Sequence, residues 1–231
     1  MKILLSHPTG NANVRAAANG LARAKLLAGF YTSIASFRGK WLDKLGNIGV
    51  FSEIHRRRFD SCLIPYIQMY PVYELGRMIA SKLRWKKLIR HEEGLFCVDA
   101  VYQRLDKHIA RSLKRELKRK QLTGVYAYED GAAFTFTEAK RLGLKCYYDL
   151  PTGYWRAART LLTSEIDNYP KWSETFTGFK DSEAKLRRKD KELAFADVVF
   201  VASQFTANTL KEYPGKLPPI KVIPYGFPSV F

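Results

Sequence analysis

The sequence predicts a doubly wound α/β domain built on a parallel sheet, and three observations carry that expectation. Short continuous apolar runs such as Ile3-Leu4-Leu5, Val125 to Tyr128 and Val198 to Val201 have the length and side-chain type of strands buried on both faces. Longer amphipathic patterns separate these runs, so strand and helix alternate from end to end. Loops carrying Gly, Asp or Ser follow the strands directly, and ligands of such sheets bind beyond the carboxyl ends of the strands.

Taken in order, Ile3-Leu4-Leu5 is the first strand, and Asn13 to Leu27 reads as an Ala-rich helix with Val14, Ala17, Ala18, Leu21 and Ala24 along one face. Phe30 to Ile34 supplies the next strand, and Ser61 to Ile67 a candidate third. A helix from Tyr73 to Leu83 follows. Between Ala100 and Lys120 a long helix is expected, with Val101, Leu105, Ile109, Leu113 and Leu117 on one stripe and cations elsewhere. Val125 to Tyr128 is a strand, Ala132 to Leu142 a helix closed by Gly143, and Lys145 to Tyr148 a strand. Helices are expected at Tyr154 to Ile166 and Ser182 to Phe195, then a strand from Asp197 to Val201. Ser203 suits the N-cap of a helix from Gln204 to Glu212, Pro214 to Pro219 forms a loop, and Ile220 to Ile223 is a last strand.

Composition agrees with a packed domain. Of 231 residues, 46% are hydrophobic and 13% aromatic, enough apolar surface to offset the ordering entropy and exclude a disordered chain. Cys62, Cys97 and Cys146 are widely spaced and show no zinc-site spacing, so neither a disulfide framework nor a structural metal is expected. Ser6, His7 and Pro8 end the first apolar run far short of a signal core, and no window reaches the length of a membrane span. A cytoplasmic location is the expectation, with any membrane contact peripheral on its inner face.

The net charge of +17 is concentrated: 17 Lys or Arg but 7 Asp or Glu stand between His55 and Lys120. The densest parts are Arg56-Arg57-Arg58, Arg84-Trp85-Lys86-Lys87 and Lys118-Arg119-Lys120. Three readings stay open: a solvated basic face, an anionic membrane surface anchored in part by Trp85, or nucleic acid. No zinc-finger spacing, RNP-like aromatic box or compact basic recognition helix supports the last.

Near the end of the chain a set of motifs becomes recognisable. Glu192-Leu193-Ala194-Phe195-Ala196-Asp197 precedes a strand, Ala202-Ser203-Gln204-Phe205-Thr206 follows it, and Val222-Ile223-Pro224-Tyr225-Gly226 comes last. In order and spacing this resembles the end of the N-terminal domain of GT-B glycosyltransferases of family 4. The resemblance implies a Rossmann-like acceptor-side domain over residues 1–219, with 220–231 as its last strand and the start of a hinge. It further implies transfer of a sugar from a nucleotide-sugar donor to a glycan or lipid-linked acceptor, without an obligatory metal or other cofactor.

Candidate site residues lie in the loops after the strands. Gly10 lets the backbone approach a ligand closely, and Asn11 and Asn13 stand at a helix start whose amides favour an anionic or polar group. An ordinary strand-to-helix turn is the alternative reading of this loop. The family's paired glycines are replaced here by Gly10-Asn11-Ala12-Asn13, and its histidine after a middle strand by Asp149. His7 is a candidate hydrogen-bonding group for sugar or phosphate. Asp149 and Glu129 are the candidate catalytic carboxylates, as stabilisers of developing positive charge or acceptors of a proton, with turn or cap roles as the alternative. Asp130 is a candidate for acceptor hydroxyls; Tyr154 and Arg156 for sugar stacking and an anion contact, with core packing the alternative for the aromatic ring.

A GT-B enzyme needs a second α/β domain for the donor, and this sequence stops where that domain is expected. The apolar residues Phe227, Val230 and Phe231 suit a truncated hinge. The expectation is a chain inactive alone, completed either by a missing C-terminal domain or by a separate donor-binding chain. The competing reading is a non-catalytic basic α/β module for nucleic acid or anionic polymers.

Overall fold

The computed structural model describes residues 1–47, 49–171 and 177–226. Seven strands, β1 (Ile3–Ser6), β2 (Leu27–Thr32), β3 (Ile67–Met69), β4 (Gly124–Tyr128), β5 (Lys145–Leu150), β6 (Val198–Val201) and β7 (Ile220–Val222), form one sheet in the order β3-β2-β1-β4-β5-β6-β7. Every neighbouring pair is parallel. The helices are α1 (Ala12–Arg23), α2 (Trp41–Leu45), α3 (Val72–Lys82), α4 (Val98–Lys120), α5 (Ala133–Arg141), α6 (Trp155–Asn168), α7 (Glu183–Phe195) and α8 (Gln204–Thr209). The chain first winds outward from β1 to β3 and then in the opposite direction from β4 to β7. The strand order therefore reverses between β1 and β4, which opens a crevice at their carboxyl ends.

Side chains alternate across the pleat. Val125 and Ala127 of β4, Cys146, Tyr148 and Leu150 of β5, and Val199 and Val201 of β6 pack with Leu105, Ile109 and Leu113 of α4, Phe136 of α5 and Leu193 of α7. This is the stripe expected for α4, and each such Leu or Ile contributes roughly 1.5–3 kcal/mol through burial. On the opposite face Leu5, Phe30 and Tyr128 pack with Val14 and Ala18 of α1 and with Phe59 and Leu63.

The motifs near the chain end fasten these layers. Glu192 is fully buried and accepts the backbone N–H groups of Asp130, Ala132 and Ala133 at 2.9, 3.1 and 3.2 Å and the Tyr148 hydroxyl at 3.2 Å. Asp106 of α4 accepts the next two amides, from Phe134 and Thr135, at 2.8 and 2.7 Å. Two carboxylates from other helices thus satisfy the start of α5, which has no side-chain cap of its own. Asp197 accepts the Cys146 N–H at 2.8 Å and pairs with Lys140 at 2.8 Å, tying the end of α7 to β5.

Several boundaries differ from expectation. The first helix ends at Arg23, and the following strand starts at Leu27. Lys25 takes a left-handed φ of 57°, its N–H bonds Ala22 O at 2.9 Å and the Leu26 N–H bonds Leu21 O at 2.9 Å, a helix-ending motif that usually carries glycine. Ser61–Leu63 is a 3-10 turn capped by Asp60, not a strand, and the third strand is Ile67–Met69. The helix expected to reach Glu212 becomes 3-10 after Thr209. Helix α2 and the 3-10 stretches Gly49–Arg57, Lys86–Ile89 and Thr177–Lys180 have no counterpart in the pattern. Of the expected hinge, residues 227–231 lie outside the described residues.

Candidate functional site

At the crevice, Tyr128 separates two cavities of about 460 Å³ each, one charged and one aromatic. The charged cavity is lined by His7 after β1, Tyr102 of α4, Glu129 and Asp130 after β4, Thr152 after β5, and Asp181, Lys185 and Lys189 around α7. Lys185 and Lys189 stand one helical turn apart and so share a face. The Lys189 ammonium lies 3.3 Å from Glu129, 3.7 Å from Asp130 and 3.6 Å from Asp181. Lys185 lies 2.9 Å from Asp181 and 3.8 Å from Asp130, while Arg188 bonds Asp99 and stands 3.6 Å from Asp130.

Burial raises the Glu129 carboxyl above its usual range, and Lys189 opposes that rise. Burial would lower Lys189, but Glu129, Asp130 and Asp181 outweigh it and hold the ammonium protonated. Asp130 has a left-handed φ of 70°, uncommon for a side chain other than glycine, and its Oδ1 is buried without a hydrogen bond among the described residues. The backbone is held there by the Asp130 N–H bond to Glu192.

His7 is buried, and its Nδ1 accepts the amides of Thr9 at 3.1 Å and Gly10 at 2.9 Å. Two N–H donors on one nitrogen place the ring proton on Nε2. Burial, followed by the nearby Arg57, lowers the His7 pKa to about 3, so the imidazole is a neutral donor. Its edges meet Tyr128 and Tyr102, with centroids 4.9 and 5.8 Å away.

The second cavity is lined by Ala12, Asn13, Ala16 and Ala17 of α1, by Tyr126, Asp149 and Phe200 of the sheet, and by Ile223 to Gly226. Tyr126 stacks on Phe200 at 5.5 Å, and its hydroxyl donates to Asp149 at 2.6 Å. Burial pushes the Asp149 carboxyl up to about 6, against the lowering effect of bonds from Tyr126 and Tyr128.

The structure brings His7, Glu129 and Asp130 to the charged cavity, and Asn13 and Asp149 to the aromatic one. The two candidate carboxylates therefore serve different cavities. Asn11 is the N-cap of α1, accepting the Val14 N–H at 3.0 Å. The Gly10 amide is taken by His7, and a Cβ at Gly10 would stand 2.3 Å from the Phe59 ring, so its glycine is required by packing and by a φ of 58°. Tyr154 and Arg156 line neither cavity: both bind Asp190, at 2.6 and 2.7 Å, together with Trp155 at 2.7 Å. Arg57 is not a surface residue, because it is buried in an ion pair with Glu74, and Arg58 pairs with Asp43. Arg56, Arg84, Trp85, Lys86 and Lys87 are exposed.

Lys185, Lys189, Asp181, Tyr102 and Tyr126 were not marked by the sequence. The one available signal was the spacing of Lys185 and Lys189 on a helix already recognised. His91, Glu92 and Asp181 also converge, with ligand-type atoms within 4.8 Å of one another, but the Lys185 ammonium already holds Asp181 at 2.9 Å.

The chain matches no protein-family model and no curated protein. Solved structures do match it. The structure of Phytolacca americana UGT2 complexed with UDP-2fluoro-glucose and pterostilbene gives a TM-score of 0.59 at 11% identity, covering 99% of this chain and 55% of that one. The apo structure of the same protein gives 0.55 at 14% identity, covering 99% and 53%. TcCGT1 in complex with UDP gives 0.50 at 12% identity, covering 96% and 50%. The fold is glycosyltransferase-like, and the chain spans about half the length of the structures it matches.

Proposed function

We propose that this chain is the acceptor-side half of a GT-B glycosyltransferase of the family 4 type, moving a sugar from a nucleotide-sugar donor to a glycan or lipid-linked acceptor. The observation that carries the reading is the charged cavity at the point where the strand order reverses. Its walls alternate fixed donors and acceptors: the His7 Nε2–H, the Lys185 and Lys189 ammonium groups, and the Glu129 and Asp130 carboxylates. Such a set fits hydroxyl groups, each of which both donates and accepts.

Because the Nδ1 of His7 is occupied, His7 orients a hydroxyl by donating to it and does not remove its proton. Glu129 is the group suited to accept that proton, since burial raises its affinity for one. The likeness to a UGT2 structure complexed with UDP-2fluoro-glucose and pterostilbene supports the reading.

Positioning both substrates supplies much of the barrier reduction in group transfer, so half a cleft binds without turning over. Calorimetric titration of the 231-residue protein with a panel of oligosaccharides tests this. Lys189→Gln should weaken the best binder by about 10-fold, in line with loss of one charge-assisted hydrogen bond. Arg156→Ala should leave affinity unchanged. Equal affinity for Lys189→Gln and wild type, or turnover of UDP-glucose by the protein alone, would contradict the reading.

A further inference from the structure

Helix α3 carries two faces of opposite character. Glu74, Met78 and Ala80 are buried, while Val72, Ile79 and Leu83 are 60%, 38% and 53% exposed. At 100° per residue these last three fall within a narrow sector, so they form one outward apolar stripe. The stripe ends in a fixed turn: Arg84 takes a left-handed φ of 55°, its N–H bonds Ser81 O at 3.2 Å, and the Trp85 N–H bonds Ala80 O at 2.8 Å. Trp85 is thereby held in place just past the helix end, with half its surface in solvent.

Cations rim this apolar end. Lys82, Arg84, Lys86 and Lys87 are all exposed, and none takes part in an ion pair among the described residues. The next cation, Arg90, is paired with Glu93, and between Glu74 and Glu92 the sequence has no acidic residue. By contrast, the other basic run of this region is compensated from within, Arg57 by Glu74 and Arg58 by Asp43.

We infer that the carboxyl end of α3 and the following turn, from Ile79 to Lys87, form a docking face for an anionic lipid surface. Leu83 and Trp85 enter the interfacial region, and Lys82, Arg84, Lys86 and Lys87 meet the headgroups. The occupant follows from the pairing of apolar side chains with unpaired cations: a lipid interface accepts both at once, whereas a phosphate backbone rewards the cations and leaves Ile79, Leu83 and Val72 in water. The inference is independent of glycosyl transfer and stands or falls separately from it.

Co-sedimentation with phosphatidylcholine vesicles, with and without phosphatidylglycerol, tests it at low salt on the intact chain. Wild-type protein should bind only the anionic vesicles and release as salt is raised. Neutralising one lysine should lower partitioning about fivefold, so on the order of 25-fold for Lys86→Gln with Lys87→Gln. The control pair Lys114→Gln with Lys118→Gln, on the exposed face of α4, should change it far less. Trp85→Leu should keep most of the binding and remove the vesicle-induced blue shift of tryptophan emission, while circular dichroism confirms that each variant is folded. The inference is overturned if anionic vesicles do not bind, if the control pair loses as much as Lys86 and Lys87, if the blue shift survives Trp85→Leu, or if single-stranded nucleic acid binds and vesicles do not.

Discussion

His7 and Asp149 sit in neighbouring cavities and respond to pH with opposite sign. Folded His7 takes up a proton only near pH 3, whereas the unfolded side chain does so near 6.5, so acidification between those values favours the unfolded chain. Folded Asp149 keeps its proton up to about pH 6, whereas the unfolded side chain loses it near 3.8, so raising the pH through that window favours the unfolded chain. Asp149→Asn removes the second effect while preserving an acceptor for Tyr126. Chemical denaturation should show this variant more stable than wild type above pH 6, by up to about 3 kcal/mol. Below pH 4 the two should be alike; a variant that is less stable at neutral pH would show that the charged carboxylate is held by partners. Nitrogen spectra of the imidazole should find His7 neutral and protonated on Nε2 from about pH 5 to 8, and an imidazolium in that range would contradict the donor role. Both residues were legible as candidates in the sequence, because strand ends in a parallel sheet are where ligands bind. Their chemistry was not, because the tautomer of His7 depends on two backbone amides and the Asp149 proton affinity on tyrosines one strand away.

Among the elements, strands and helices with strong periodicity were legible, and the α4 stripe from Leu105 to Leu113 packs as its spacing requires. The misplaced boundary after α1 has a specific cause. Lys25 occupies the left-handed position where glycine signals a helix end, and without that signal the Ala-rich pattern reads on into Leu27. Lys25→Gly should therefore stabilise the protein by roughly 1 kcal/mol, the relief of a left-handed side chain less the added freedom of the unfolded chain. A thermal melt reads this, and a destabilised variant would mean that the Lys25 side chain contributes contacts that outweigh the strain. The motif most visible in the sequence, Glu192 to Asp197, turns out to fasten elements: its two carboxylates hold the starts of α5 and β5. The cations of the charged cavity, Lys185 and Lys189, come from the preceding turns of the same helix and were silent because their partners Glu129 and Asp130 are remote in sequence.

For the whole molecule, seven parallel strands with one reversal concentrate the polar loop residues at a single edge among the described residues, in a fold like that of structures about twice as long. The charge excess that dominates the composition lies mostly elsewhere, on α4 and around α3, where it bears on docking. The charged cavity is lined by Asp99, Glu129, Asp130 and Asp181 against Lys185 and Lys189, a set that suits hydroxyl recognition better than binding a polyanion. The most direct measurement is an amide-resolved NMR titration of the 231-residue protein with oligosaccharides and, separately, with UDP-glucose. Saturable shifts from an oligosaccharide are expected, clustered at His7, Tyr128, Glu129, Asp130, Lys185 and Lys189, with little response to UDP-glucose. Saturable UDP-glucose shifts at those residues with none from any saccharide would contradict the acceptor-side reading and make the cavity a donor site.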